Sequence, residues 1–348
     1  MNRWIAILAG LLLVQLAAAV AVNMGEERYA AFQPEERLLA FDAGSIDGLR
    51  IEDSNGALLM RKENGRWSLP DSGGFPARGK GVEQLLEKLA GLKKGWPVAT
   101  TAGAAERFKV ADGEFERRIE LLAGSDSAAT LYVGSSPGLR KVHVRAGGEE
   151  KIYAVELNSW ELTSRVDDWI DSAVTVLEPE KIERLEMPGF TLQRSGEELR
   201  LEELGEGERT DAKAVSGLLD KVAGLRIQSL LGSEPSSGYD EEKPALEFTV
   251  KRKDGGELRY RFWKPADEEY YVLKRSDMDH YLKVAKYLVE PILETGREKL
   301  LQKGEQRDEG EPGGEDTGGE QGDGGSGEGA ADAPQPAEEG AGGKQQGQ

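Results

Sequence analysis

The chain has no cysteine and only two histidines among its 348 residues. Without cysteine there can be no disulfide, no thiolate nucleophile and no cysteine-bound zinc. The two histidines, His143 and His280, are isolated from each other and from any triad or metal-ligand pattern, so neither a catalytic triad nor a histidine-rich metal site is expected. We therefore predict no catalytic residues, no cofactor and no metal.

Basic side chains are outnumbered as well. The chain has 45 Lys and Arg against 64 Asp and Glu, which gives a net charge of −19. Residues 304–348 hold 12 acidic and two basic side chains, so they carry −10 of that charge. Binding to nucleic acid needs clustered Lys and Arg to neutralise phosphates. The acidic balance argues against a nucleic-acid partner and favours solubility.

Long apolar runs are absent except at the N-terminus, where residues 4–22 form 19 consecutive uncharged positions. A helix of that length spans about 28 Å, close to the hydrocarbon core of a bilayer. Arg3 precedes the run and Glu26 follows it, which favours a cytoplasmic N-terminus. The side chains expected to contact lipid include Trp4, Leu11, Leu12, Leu13, Val14 and Leu16.

Residues 1–25 are thus predicted to be a membrane anchor or a signal segment. As an uncleaved anchor they would place the chain in a bacterial inner membrane as a single-pass protein, with its body in the periplasm or outside the cell. The alternative is a cleaved signal peptide, with the small residues at 19–21 as the cleavage site. Both interpretations export the body.

The body shows one order of predicted elements twice. Short alternating strands separated by Asn55-Gly56 and Asn64-Gly65 turns come first, and a loop at residues 70–79 leads to a helix. More alternating strands follow the helix. The same order returns in the second half of the chain.

The helix gives the clearest sign of repetition. Residues 81–92 align without gaps to residues 214–225, and seven of the twelve positions are identical. Apolar residues recur at i, i+3, i+4 and i+7 in both, so each helix has one apolar face. We expect Leu86 and the matching Leu219 to be buried. We interpret the chain as a tandem duplication.

We predict an α+β fold with two tandem copies of a strand–strand–helix–strands unit and mostly antiparallel sheets, after an N-terminal transmembrane helix. The first repeat, with a linking helix at residues 158–172, spans residues 38–172. The second spans residues 173–295 and ends in a closing helix at residues 281–293. Residues 304–348 have too few apolar side chains to fold and are predicted to form a disordered acidic tail.

Several segments resemble the bacterial domain-of-unknown-function family 4340. They are residues 38–42, the Gly-Arg-Trp-Ser-Leu run at 65–69, the helix at 82–92, residues 131–134 with Ser136-Pro137-Gly138, and Asp167-Asp168-Trp169. The resemblance covers roughly residues 1–295, and residues 108–110 fit the family's Tyr-Gly-Leu-like triplet only loosely. It implies no established activity. Because family members are often encoded beside gliding-motility-type ABC transporter subunits, it implies a non-enzymatic envelope role.

One serine stands in a catalytic-looking pattern. Residues 134–138 match the G-x-S-x-G pattern around Ser136, which marks a nucleophile only between a strand and a helix. Here Val142 and Val144 predict a second strand, so we interpret the motif as a hairpin loop. His143 alternates with these valines and is predicted to face solvent.

Acidic and aromatic residues cluster between the halves. Asp167, Asp168 and Asp171 could bind a divalent cation or act as a glycosidase pair, but no second acidic group with suitable context accompanies them, and we interpret them as a solvated helix face. Trp160 and Trp169 could stack on sugars, but packing between the halves is the simpler interpretation.

These features favour a membrane-anchored envelope accessory protein that acts by protein–protein contact. The ABC transporter complex as its partner comes from the resemblance alone. The alternative is a periplasmic module that binds a glycan or another small ligand, which would need a cleft lined with aromatic and polar groups.

The predicted anchor has a direct test in N-terminal sequencing of the protein from the membrane fraction. Because the apolar run is long enough to span the bilayer, the segment should be retained in the mature chain. A mature start near Val22 would contradict the anchor and leave an exported protein without one.

Overall fold

The computed structural model describes residues 36–138, 140–235, 238 and 240–302, together with residue 15. Within these residues the strands form two eight-stranded sheets, paired antiparallel throughout. The first sheet contains β1 (Gly48–Asp53), β2 (Gly56–Glu63), β3 (Arg66–Leu69), β4 (Phe75–Pro76), β5 (Arg117–Ala123), β6 (Asp126–Val133), β7 (Lys141–Ala146) and β8 (Tyr153–Glu156). The second contains β9 (Ile182–Met187), β10 (Phe190–Ser195), β11 (Glu198–Leu201), β12 (Ser229–Gly232), β13 (Leu246–Arg252), β14 (Glu257–Trp263), β15 (Tyr270–Arg275) and β16 (Tyr281–Ala285).

Four α-helices accompany the sheets within the described residues. They are α1 (Gly79–Ala90), α2 (Ala102–Arg107), α3 (Ala212–Ala223) and α4 (Lys286–Leu293). The remaining helical segments are short 3-10 turns at Ala43–Ser45, Pro70–Ser72, Ser159–Glu161, Val166–Asp168, Pro179–Lys181 and Arg297–Leu300.

The two sheets share one strand order. The first runs β4-β3-β2-β1-β5-β6-β7-β8 and the second runs β11-β10-β9-β13-β14-β15-β16-β12. Apart from β4 and β12 the orders coincide, with β1 matched to β9 and β5 matched to β13. The predicted α+β fold with mostly antiparallel sheets is confirmed.

Local turn chemistry explains the first hairpins. Asn64 and Gly65 join β2 to β3 with φ values of 50° and 79°. Positive φ at both central positions belongs to the type I′ turn, which matches the twist of paired strands and favours Asn-Gly. At the preceding turn, the Asn55 N–H donates to the Asp53 carboxylate at 2.7 Å.

Helices α1 and α3 occupy matched positions, each with 12 residues and with one buried face against its sheet. The buried side chains are Val82, Leu85, Leu86 and Leu89 in α1, and Val215, Leu218, Leu219, Val222 and Ala223 in α3. The expected burial of Leu86 and Leu219 is therefore confirmed. Both faces belong to one continuous apolar core that includes strands of both sheets.

The segment at residues 158–172 is not an α-helix, so the predicted linking helix is wrong. It has two 3-10 turns, Ser159–Glu161 and Val166–Asp168, joined by residues 162–165, which form no helix. The Trp169 indole N–H donates to the Thr163 carbonyl oxygen at 2.8 Å, which folds the segment back on itself.

The backbone of the linking segment pairs with the backbone of the first half. The Arg78 N–H donates to the Trp169 carbonyl oxygen at 2.7 Å, and the Asp171 N–H donates to the Pro76 carbonyl oxygen at 2.9 Å. These bonds satisfy backbone groups that a helix would satisfy internally. Hydrogen bonds to the chain ahead of α1 thus take the place of the internal hydrogen bonds of the predicted helix.

Two further predictions need correction. The closing helix begins at Lys286 rather than at Tyr281, because residues 281–285 pair with β15 as β16, and Pro291 lies inside α4. The loop predicted at residues 70–79 includes the short strand β4. The short edge strand β12 was not predicted.

The predicted anchor residues Trp4, Leu11, Leu12, Leu13, Val14 and Leu16, and the tail at residues 304–348, lie outside the described residues. In the part of the chain that the structure describes, we find no helix with the length and apolar character needed to span a membrane.

Matched substitutions test the matched helices. Leu86→Ala and Leu219→Ala each leave a cavity under a helix and should lower the free energy of unfolding by about 2–5 kcal/mol. Glu87→Ala and Asp220→Ala, at exposed neighbouring positions, should change it by less than about 0.5 kcal/mol. Chemical denaturation measures all four. A neutral result at either leucine would contradict the packing of that helix.

Candidate functional site

An open groove of about 920 Å³ lies between α1 and the linking segment. Its walls are built by the outward side of α1 and by the two 3-10 turns that replace the predicted helix. The lining includes Arg78, Lys80, Gln84 and Lys88 on one wall, and Trp160, Glu161, Thr163, Asp167, Asp168 and Trp169 on the other. Charged groups of both signs and indole rings thus share one concave surface.

Trp160 is the most exposed large apolar side chain among the described residues, at 74%. Its neighbours in sequence explain why it is left outside. Leu162 and Trp169 fill the core positions that the segment offers, and they are 0% and 3% exposed. The linking segment therefore buries one of its two tryptophans and presents the other at the groove, so the predicted packing of both between the halves is wrong for Trp160.

Hydrogen bonds hold the turn that carries Trp160. Asn158 Nδ2 donates to Glu161 Oε1 at 2.7 Å, and Lys88 Nζ lies 2.6 Å from Glu161 Oε2. Partial burial raises the pKa of Glu161, but these two hydrogen bonds lower it more, so the net shift is downward. An ionised Glu161 thus fixes the turn to α1 at neutral pH.

The beginning of α1 adds positive charge to the groove. Arg78 occupies the N-cap position without a side-chain cap, and its guanidinium lies against Gly81, where a Cβ would come within 2.7 Å of Nε. Lys80 is in the first turn. Since a helix N-terminus carries partial positive charge, Arg78 and Lys80 make this part of the groove attractive to anionic groups.

A family model described as "Domain of unknown function (DUF4340)" matches residues 67–246, slightly more than half of the chain. The chain belongs to the DUF4340 family. The resemblance seen in the sequence is confirmed over residues 67–246, a range that includes both walls of the groove. No curated protein and no solved structure matches the chain.

Ser136 of this DUF4340 protein lies in the hairpin between β6 and β7, as expected. Its Oγ lies 2.7 Å from the Gly138 carbonyl oxygen and 2.6 Å from the Lys141 carbonyl oxygen. The hydroxyl is engaged with the hairpin backbone, in a strand–loop–strand context that differs from a nucleophile elbow.

His143 is buried, at 8% exposure, so the prediction that it faces solvent is wrong. The chain that contains α2 covers this face of the first sheet, and the Phe108 ring lies 4.3 Å from the imidazole. Strand alternation identifies which residues share a face, but it does not show whether another segment covers that face.

A serine hydroxyl does contact His143, but at a neighbouring position. Ser135 Oγ lies 3.0 Å from His143 Nδ1 and 3.3 Å from the Phe108 carbonyl oxygen. Among the described residues no carboxylate forms a hydrogen bond with the imidazole. The pair is therefore part of the packing under α2 and lacks the orienting acid of a triad.

His280 joins the two halves of the DUF4340 body. Its Nε2 lies 2.8 Å from the Ser72 carbonyl oxygen, and its ring meets Phe75 edge-on at 5.1 Å. Gly73 approaches so closely that a Cβ there would lie 3.0 Å from Nε2. A second cavity, of about 750 Å³, lies beside this contact and is lined mainly by polar residues of both halves.

The three aspartates of the linking segment do not converge on one point. Asp167 and Asp168 are exposed in a 3-10 turn, whereas Asp171 accepts from the Ala173 N–H at 3.0 Å. No group of three potential metal ligands occurs within the described residues.

The cationic wall of the groove was not predicted. Arg78, Lys80 and Lys88 lie on the outward side of an amphipathic helix, where charged residues are ordinary. Their proximity to Trp160 depends on the path of the linking segment, for which the sequence pattern wrongly predicts a helix.

Burial of His143 generates a pH prediction. Burial lowers the pKa of His143, so folding favours the neutral imidazole. In the unfolded chain the imidazole has the ordinary histidine pKa of about 6.5. The contribution of the neutral His143 imidazole to the free energy of unfolding should therefore be complete above that pH. It should be lost as pH falls through the lower pKa that His143 has in the folded protein.

The measurement compares the free energies of unfolding of the natural chain and His143→Gln from pH 7.5 down to about 5, near the titration range of an unfolded histidine. Carboxylates contribute equally to both curves, so their difference isolates His143. The natural chain should lose stability more steeply. Parallel curves would contradict the assignment.

Proposed function

We propose that this protein is a membrane-anchored accessory protein of the bacterial envelope that acts by contact with another protein. The groove between α1 and the linking segment is the proposed contact surface, and a subunit of an ABC transporter complex is the proposed partner. The sequence supports the anchor through the apolar run at residues 4–22. The choice of transporter rests on the family resemblance.

The exposed indole of Trp160 is the observation that carries this proposal. Tryptophan and arginine dominate the binding energy of protein interfaces, because they bury large flat surfaces and also form polar contacts. Trp160 stands at 74% exposure next to Arg78 and Lys88 in one concave surface. The cost of leaving an indole in water is recovered when a partner covers it.

The groove is also ordered before any partner binds. The ion pair between Lys88 and Glu161 and the hydrogen bond from Asn158 fix the turn below the indole. A surface that is already ordered loses less conformational entropy on binding. Confinement by an anchor would raise the effective concentration of membrane partners further, so that a modest groove can suffice.

The shared strand order of the two sheets supports the further proposal that the body arose by duplication of one unit. The groove has no counterpart with an exposed tryptophan at the matched helix α3 among the described residues. We infer that the linking segment, which occurs once, gave one of the two copies its contact surface.

Copurification tests the proposal. The amount of membrane protein that copurifies with the full-length Trp160→Ala chain should be at least about tenfold smaller than with the natural chain. The reason is that truncating a tryptophan at the centre of an interface costs about 2 kcal/mol or more of binding free energy. Tyr287→Ala is the matched control, since Tyr287 is an aromatic residue of similar exposure, 71%, on α4. Thermal midpoints of both variants should equal that of the natural chain.

Two results would contradict the proposal. One is retention of the copurifying protein by Trp160→Ala, which would remove the groove from the contact. The other is the absence of any integral membrane protein from the natural preparation, which would remove the accessory role itself.

A periplasmic glycan-binding module is the second candidate, and the same groove supports it. An indole next to an amide, a hydroxyl and carboxylates, here Trp160, Gln84, Thr163 and Glu161, resembles the mixture of groups that binds sugars. Titration with N-acetylglucosamine oligomers, followed by indole fluorescence, would test it. Saturable binding that Trp160→Ala abolishes, with copurification unchanged, would favour this candidate over the first.

A further inference from the structure

The outward face of the second sheet carries a row of cations. On β14, Tyr260 and Phe262 point into the core and are fully buried, so Arg261 between them points outward. The same alternation places Lys274 of β15 and Lys283 of β16 on the outward face, and both are partly exposed.

Strand register brings these cations together. Arg261 pairs directly with Lys274 across β14 and β15, and Lys283 pairs with Val272, two residues from Lys274 along β15. Like charges in such positions repel one another and need compensation. Glu247 on β13 compensates Arg261, whose Nε lies 3.5 Å from Glu247 Oε2. Lys274 and Lys283 therefore supply the positive potential of this face, in a chain whose net charge is −19.

Aromatic rings compensate for part of this repulsion. Lys274 Nζ lies 4.7 Å from the centre of the Tyr281 ring, and Lys283 Nζ lies 4.3 Å from that of Tyr270. Both distances are within the range of a cation–π contact. Neither lysine forms an ion pair with a described residue, so both ammonium groups keep their capacity to bind an anion.

The adjoining part of the same face already binds an acidic stretch of this chain. The Glu241 carbonyl oxygen accepts from Arg261 at 2.7 Å and from the Trp263 indole at 3.3 Å. The Glu241 carboxylate accepts from the Tyr281 hydroxyl. Acidic residues flank Glu241 on both sides. This part of the face therefore binds a polypeptide backbone and one carboxylate.

We propose that the outward face of β15 and β16, centred on Lys274, Lys283 and Tyr270, binds an acidic peptide segment of a partner protein. The segment would lie beside Glu241, with its carboxylates on the two ammonium groups and its backbone or an apolar side chain against the Tyr270 ring. Because the chain as a whole has a net charge of −19, local positive charge of this kind would be the preferred point of contact for an acidic partner. The inference concerns a surface separate from the groove and does not depend on it.

An anionic membrane surface is less consistent with the same residues. Aromatic residues that anchor a protein at a membrane have to reach the headgroups, but Trp263 and Tyr281 are buried here, at 1% and 7% exposure. The overall charge would also oppose approach to anionic lipid.

A labelled hexaglutamate peptide is the probe, and fluorescence anisotropy with the purified full-length chain is the measurement. The natural chain should bind the peptide with an affinity that falls as salt rises. The double variant Lys274→Glu/Lys283→Glu should bind at least about tenfold more weakly, because it replaces two attractive charges with two repulsive ones.

The matched control is Lys213→Glu/Lys221→Glu. Both residues are exposed on α3, on the other side of the same sheet, and the variant changes the net charge by the same amount. It should bind within about twofold of the natural chain, since charges at that distance are largely screened. Trp160→Ala should also bind normally, which separates failure here from failure of the groove.

Three outcomes would overturn the proposal. In the first, the natural chain and Lys274→Glu/Lys283→Glu bind the peptide equally well. In the second, the α3 control loses as much affinity for the peptide as Lys274→Glu/Lys283→Glu does. In the third, the natural chain does not bind the peptide. Phosphatidylglycerol vesicles provide a last arm. If the natural chain binds them and Lys274→Glu/Lys283→Glu abolishes that binding while peptide binding is unchanged, the face belongs to lipid and the acidic-peptide assignment is wrong.

Discussion

The linking segment, together with residues 173–177 that follow it, holds the two sheets in one folded unit. On its first side it pairs with the chain ahead of α1, through the bond from Arg78 to Trp169. On its second side, the Leu177 N–H donates to the Ala223 carbonyl oxygen at 2.8 Å, and the buried Thr175 hydroxyl donates to the Leu225 carbonyl oxygen at 2.7 Å. The beginning of one matched helix and the end of the other are thus joined through backbone hydrogen bonds to a single connection.

Charged groups secure this connection from both halves. The Asp53 carboxylate accepts from the Ser164 hydroxyl at 2.6 Å and from the Ser164 N–H at 3.0 Å. Burial raises the pKa of Asp53, but these bonds outweigh it and the net shift is downward. From the second half, the buried Arg275 donates to the Val174 carbonyl oxygen at 3.1 Å while paired with Asp277. Buried charges with partners of this kind are costly to break.

The candidate site depends on this connection. A helix over residues 158–172 would have satisfied its own backbone and would have had no reason to pair beside α1. With its two 3-10 turns the segment lies next to α1 and forms the opposite wall of the groove. It also separates its two tryptophans, because Trp169 enters the core while Trp160 stays outside. The linking segment therefore both joins the two halves and forms part of the proposed contact surface.

The sequence predicted what depends on local periodicity. The apolar face of residues 81–92, its copy at residues 214–225 and the Asn64-Gly65 turn each follow from neighbouring side chains, and the structure has them all. It could not predict the linking segment, whose backbone partners, such as Arg78 for Trp169, are distant in the sequence.

The same limit applies to burial and to the candidate surfaces. His143 has the alternation of a solvent-facing residue, but the chain containing α2 covers it. Lys274 and Lys283 are adjacent only through strand register. Each of these features depends on contacts between distant parts of the chain, which periodicity does not encode.

Native-state hydrogen exchange tests most directly whether the linking segment makes the two halves one unit. Amides at the centres of β5 and β13 should exchange through a single global opening, with the same free energy and the same dependence on denaturant, because one continuous core underlies both sheets. Opening of β13 at a lower free energy, with β5 still protected, would show two independently stable halves and would contradict the account.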